Sequence, residues 1–160
     1  MPKTVPPIPT GSLQITPYLT VRNGKEAIAF YQKAFGAREI MRMDDPSGRI
    51  GHAELAIGTG RIMLADEYPE MGNRSPETVG GTPVMIHFYT EDVDSVAKAA
   101  VAAGGVLDRP VEDQFYGDRS GQLRDPFGHI WWISTHIEDV APEEMKRRAE
   151  AKFGAGHAVS

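Results

Sequence analysis

The sequence predicts an α+β fold: two βαβββ modules forming a curved, eight-stranded, cup-like sheet, with helices outside and one further helix at the C-terminus. Three observations predict it. A strand–helix–three-strand order occurs twice; strands and helices separate cleanly by their apolar periods; and the residues that punctuate the two halves recur at one spacing. Asn23 and Asp92 lie 69 residues apart, Gly36 and Gly105 also 69, and Gly60 and Gly128 68. Element order and three anchor spacings agree, which a chance match does not deliver. Each half is too short to bury its own sheet, so the two are expected to pair, leaving an inner face that lines a cleft.

Residues 1–12 form a Pro-rich segment without the apolar core of a secretory signal. A single domain is expected over 13–140, with module one at 13–70 and module two at 82–140. In module one, "LQITPYLTV" reads as a strand by alternation and β-branching. "NGKEAIAFYQKAFG" is a helix: Ala27, Phe30, Tyr31, Ala34 and Phe35 share one face, Asn23 is placed to cap it, and Gly36 to end it. "REIMRM", "HAELAIG" and "RIMLAD" complete the module, joined by the turns "DDPSG" and "GTG". Module two repeats the order: strand "VMIHFYT", helix "DVDSVAKAAVAAGG", then strands at "GVLDRPVED", "GQLRD" and "HIWWIST". Residues 141–160 give the C-terminal helix "APEEMKRRAEAKF", with Pro142 in its first turn, and a tail.

Composition narrows the function. The 160 residues are 41% hydrophobic and 24% charged, ordinary usage for one globular domain. A net charge of −5 argues against nucleic acid, and the basic run at Lys146–Arg148 follows Glu143 and Glu144 as a helix end matched to its dipole. No cysteine is present, which removes thiol chemistry and fits a cytoplasmic protein. No apolar run approaches a membrane span, so no membrane partner is expected. "GGT" at Gly80 precedes a strand rather than a helix, so it offers no phosphate cradle.

"AIAFYQKAFGA", "LADEYPEMG", "TEDVDSV" and "FYGDRSGQLRDPFGHIWWIS" resemble the glyoxalase/bleomycin-resistance family, the vicinal oxygen chelate superfamily, in its PhnB-like branch. The resemblance covers Leu13 to Val140. It implies the βαβββ repeat, a homodimer and a site inside the cup, but not one chemistry, because the fold hosts lyases, dioxygenases, epimerases and drug binders. Metal-dependent members of the family take His or Glu ligands from the first and last strand of each module. Laid on this chain, those positions read Thr16, Met63 or Leu64, Met85 and Trp132. A slip of one residue brings Ile15, Pro17, Ile86 and Trp131, which are no better ligands. No metal or other cofactor is therefore expected.

Alternation predicts what lines the cleft instead. Tyr18, Thr20, His87 and Tyr89 fall on the face of Thr16 and Met85; His52 and Glu54 oppose the apolar set Ala53, Leu55 and Ile57; Trp132, Ser134 and His136 follow on the last strand. Asp66, Glu67 and Tyr68 are expected at the rim. The ligand-binding candidates are thus Tyr18, His52, Glu54, Asp66, His87, Tyr89 and Trp132. Arg119 is read as structural, pairing across its turn or with Asp125. An aromatic lining beside Glu54 and Asp66 suits a planar, cationic small molecule held by stacking and charge. Two enzyme alternatives stand beside binding: a lyase or dioxygenase with its metal on displaced ligands among His52, Glu54 and His87, or metal-free acid–base work by a His–carboxylate pair. A purely structural subunit with a filled cup is the third class.

Overall fold

The computed structural model describes residues 4–154. Residues 1–3 of the Pro-rich segment and residues 155–160 of the tail lie outside the described residues. The elements run β1 (Tyr18–Val21), α1 (Gly24–Phe35), β2 (Arg38–Asp44), β3 (Ile50–Ile57), β4 (Gly60–Asp66), a 3-10 turn (Pro69–Met71) and α2 (Pro76–Val79). Then come β5 (Met85–Tyr89), α3 (Val93–Ala102), β6 (Val106–Asp113), β7 (Asp118–Arg124), β8 (Ile130–His136) and α4 (Pro142–Phe153). The chain divides into two compact units between Val79 and Gly80. Among the described residues no helix is long and apolar enough to cross a membrane.

The first unit is a mixed four-stranded sheet in the order β1-β4-β3-β2, with only β1 and β4 parallel. Helix α1 covers one face. Asn23 caps it through Glu26 N–H, Gly36 ends it in the left-handed conformation at φ 66°, and the predicted apolar set is buried. Leu19, Val21, Ala53, Leu55, Ile62 and Leu64 meet that helix as the sheet's share of the core. The first strand is shorter than its sequence pattern. It begins at Tyr18, not Leu13, because Pro17 has no N–H to give; its carbonyl still accepts from Met63 N–H at 2.9 Å. Thr16 therefore lies ahead of the strand, and Ile15 is exposed.

The second unit repeats the sheet as β5-β8-β7-β6, again with one parallel pair. Asp92 caps α3, and Val93, Ala97 and Ala100 are buried, whereas Val101 is 46% exposed. Trp131 and Ile133 face the core. Helix α4 starts with Pro142 in its first turn, as its sequence predicts, and Arg148 ties it to Glu138 at 2.7 Å and to the Phe115 carbonyl at 3.2 Å.

One turn sequence serves both units, at different hairpins. "DPSG" joins β2 to β3 and "DPFG" joins β7 to β8. In each, one aspartate oxygen accepts two backbone N–H groups (Ser47 and Arg49 for Asp45, Phe127 and His129 for Asp125), while Gly48 and Gly128 adopt φ of 89° and 90°. Asp125 also accepts from Trp131 Nε1 at 2.9 Å. Of the two partners expected for Arg119, the one across its turn is found: it pairs with Asp113, opposite it in the β6–β7 register, and also with Asp94, while Asp125 holds Trp131.

Candidate functional site

Period-two alternation gives each sheet a second face, turned away from its helix. In the first unit Tyr18 pairs with Met63, Met63 with Glu54, and Glu54 with Met41, so these four side chains share one row across the sheet. His52 lies two residues before Glu54 on the same face. Tyr18 Oη lies 2.8 Å from His52 Nδ1, and His52 Nε2 lies 3.4 Å from Glu54 Oε1. A carboxylate only accepts, so Nε2 carries the imidazole proton and Nδ1 accepts from the Tyr18 hydroxyl. Partial burial, helped by the Glu54 charge, raises the Tyr18 pKa, keeping the phenol protonated.

At the far ends of β1 and β4 a cavity of about 280 Å³ opens, lined by Tyr18, Thr20, Gly51, Asp66, Tyr68 and Asn73. Asp66 is 6% exposed, deeper than the rim position expected for it. Its carboxylate accepts from Gly24 N–H at 2.9 Å and Ile50 N–H at 2.6 Å, fixing the entrance of α1 against β3. Module two makes the equivalent bond 69 residues on, where Thr135 Oγ1 accepts from Val93 N–H at 2.8 Å. Glu67 accepts from Ser75 N–H and Thr78 Oγ1, holding α2 in place, and these bonds hold its pKa at about 2. Tyr68 donates to Asp45 Oδ2 at 2.8 Å while the Arg49 guanidinium covers its ring at 4.0 Å.

In the second unit His87 pairs with Trp132, and Trp132 with Gln122, in one row. The adjacent tryptophans part as alternation requires: Trp131 is 2% exposed in the core, and Trp132 is half-buried on the opposite face. The rings of His87 and Tyr89 stack with centroids 4.5 Å apart at 29°. Beneath them His87 Nε2 contacts Ser134 Oγ at 3.0 Å, and Ser134 Oγ contacts Ser120 Oγ at 2.8 Å. Tyr89 donates to Asp118 Oδ2 at 2.7 Å, a bond that pushes its pKa up to about 12. His136 lies between two carboxylates, Asp139 and Asp118, whose hydrogen bonds raise its pKa and favour the imidazolium.

The candidates thus fall into two groups. Tyr18, His52 and Glu54 form one bonded chain on the first sheet, with Asp66 in the cavity beside it. His87, Tyr89 and Trp132 form one aromatic surface on the second. Sequence reasoning missed Asp118 and Ser120, because the seventh strand was expected to begin at Gly121 rather than Asp118. Gly117, at φ 101°, was the available signal for an earlier turn. Of the positions corresponding to the family's metal ligands, Leu64 is buried against α1, leaving Met63 as the choice on the open face. Thr16, Met63, Met85 and Trp132 offer a hydroxyl, two thioethers and an indole, a poor donor set for a divalent ion that takes imidazole and carboxylate. Among the described residues no group of three His, Cys, Asp or Glu side chains is placed to hold a metal ion.

A family model described as the glyoxalase/bleomycin resistance protein/dioxygenase superfamily matches residues 12–133. Protein Mb0911c of Mycobacterium bovis is 41% identical over 135 residues, covering 82% of this chain and 89% of that protein. Among solved structures, protein PA1353 from Pseudomonas aeruginosa aligns with a TM-score of 0.65 at 25% identity, over 79% of this chain and all of that one. The PhnB protein from Bacillus cereus aligns at 0.59 and 16% identity, over 77% of this chain and 99% of that one. The βαβββ unit written twice, with its sheet order and matched residues, has one assignment: the chain belongs to the glyoxalase/bleomycin resistance protein/dioxygenase superfamily.

Proposed function

We propose that this protein binds a planar organic molecule on the open face of its second sheet, without the metal used by other members of its family. The aromatic surface of the second unit carries the proposal. Trp132 is half-buried directly opposite His87 in the strand register, and His87 stacks on Tyr89, which is 57% exposed. Aromatic groups left this accessible on a fixed sheet provide a stacking platform at little entropic cost. The donor set at Thr16, Met63, Met85 and Trp132 supports the metal-free part of the reading. A cytoplasmic homodimer belongs to the same reading, as the resemblance and the cysteine-free sequence imply.

The test is fluorescence. The chain has two tryptophans, and Trp131 is sealed in the core, so quenching by a planar ligand reports on Trp132. In a panel of neutral and cationic polycyclic compounds, a binder is expected to quench about half of the emission. Calorimetric titration, which needs no reporter at that position, should show Trp132→Ala binding the same compound about tenfold or more weakly, with the thermal midpoint little changed. Equal affinity for the variant, or no binder in the panel, would sink the proposal.

A second reading rests on Tyr18, His52 and Glu54. The imidazole held between a phenol and a carboxylate is the arrangement that metal-free acid–base chemistry on a carbonyl compound uses. Its signature is solvent deuterium entering a substrate next to its carbonyl, which a purely binding protein does not produce.

A further inference from the structure

We propose that the cavity at the end of β1 and β4, within the first unit, seats a protonated amine, a binding site beyond the aromatic surface of the preceding reading. The direction of the hydrogen bonds around the cavity is the reason. Tyr68 gives its hydroxyl proton to Asp45 Oδ2 at 2.8 Å. Bonds from Ser47 and other donors hold the Asp45 carboxyl well below the usual range, so it is ionised and accepts only. Tyr18 gives its proton to His52 Nδ1, because Nε2–H is turned toward Glu54. Both tyrosines that line the cavity therefore spend their hydroxyl protons on partners within the protein, and neither keeps one to give a ligand there.

Asp66 adds the charge. Each carboxylate oxygen has one backbone N–H partner, and each keeps a second lone pair. Amides leave the negative charge in place, in a residue 6% exposed, where screening by water is weak. The nearby Arg49 does not supply the missing cation. It lies over the Tyr68 ring and engages Asp45 and Glu70, at 3.4 Å each. A cavity of about 280 Å³ whose lining joins two tyrosines without a proton to give, a buried carboxylate, and the hydroxyl and amide of Thr20 and Asn73 favours a cationic donor of several hydrogen bonds over an anion. An ammonium has three donors and a positive charge on one atom, which meets both requirements.

The experiment compares benzylammonium, benzyl alcohol and benzoate, three probes of one ring with different end groups, by amide-shift titration of the full chain at neutral pH. Benzylammonium is expected to bind at least about tenfold tighter than benzyl alcohol, with the largest shifts at Gly51, Asp66, Tyr68 and Asn73, and benzoate weakest. Methylammonium, which has no ring, should compete at the same amides. Tyr68→Phe removes one acceptor from the wall and should reduce the preference at least threefold; Asp66→Asn is avoided because that residue also anchors α1. Benzyl alcohol or benzoate binding as tightly as benzylammonium would overturn the inference, as would an unchanged preference in Tyr68→Phe. The two proposals fail separately. Ammonium shifts in the cavity without any planar ligand quenching Trp132 would remove the planar-ligand reading and leave the amine seat. Planar ligands that quench Trp132, with benzylammonium no tighter than benzyl alcohol at the cavity amides, would do the reverse.

Discussion

Replacing Asp125 by alanine is expected to lower stability by about 4 kcal/mol. The aspartate is 3% exposed and accepts from Phe127 N–H at 2.9 Å, His129 N–H at 3.0 Å and Trp131 Nε1 at 2.9 Å. Alanine leaves those donors without their acceptor in a site where water enters poorly, and each orphaned donor costs about 1–3 kcal/mol. The indole matters most, because Trp131 is itself sealed in the core and has no solvent to turn to. Urea unfolding of the variant measures the loss. Asp45→Ala in the matching turn is the control: its carboxylate is partly exposed, so water replaces much of what is removed and the loss is smaller. Equal losses in the two variants would show that burial does not set the difference.

Gly24→Ala should cost about 2–3 kcal/mol, although Gly24 opens a helix, where alanine is normally preferred. A Cβ there would meet Ile50 Cγ1 at 2.6 Å, Ile50 Cβ at 2.7 Å and Asp66 Oδ2 at 2.8 Å, all closer than packed atoms tolerate. Ile50 is fully buried and Asp66 is fixed by two amides, so neither can withdraw cheaply. Module two solves the same junction the other way. Val93 stands 69 residues after Gly24, and the shorter Thr135 stands 69 after Asp66. A small residue thus faces a long acceptor in one unit, and a large residue faces a short acceptor in the other. Thermal denaturation monitored by circular dichroism tests the prediction; an unchanged or raised midpoint would contradict it.

This junction marks the boundary of what the sequence alone makes legible. Local signals carried the elements: Asn23 and Gly36 bracket α1 where their spacing places them, the α4 start follows Pro142, and alternation sends Trp131 and Trp132 to opposite faces. The pairing of His52 with Glu54 was readable for the same reason, since both lie on one strand two residues apart. Long-range partners were not readable. Nothing near Asp66 in the chain announces Gly24 or Ile50, and nothing near Tyr89 announces Asp118. Each bond exists only because strand order and register bring distant segments together. The first strand misled because its alternating pattern continues through residues 13–17, while pairing starts only after Pro17.

The two units handle polar groups on their open faces differently. The first gathers Tyr18, His52 and Glu54 into one bonded chain next to a cavity. The second places its serines and Asp118 beneath the aromatic rings, orienting His87 and Tyr89 from below. Rings held from beneath by buried partners lose little freedom when a ligand stacks on them, which favours binding.

Under the proposed function, a planar ligand binds this chain without a metal. Calorimetric titration of such a ligand into protein stripped with a chelator, and into the same protein supplied with nickel, zinc, manganese or iron, tests it most directly. One dissociation constant, unchanged within about twofold, is expected in the stripped and the metal-supplied samples. Binding that appears only after a metal is added, at one ion per chain, would contradict it.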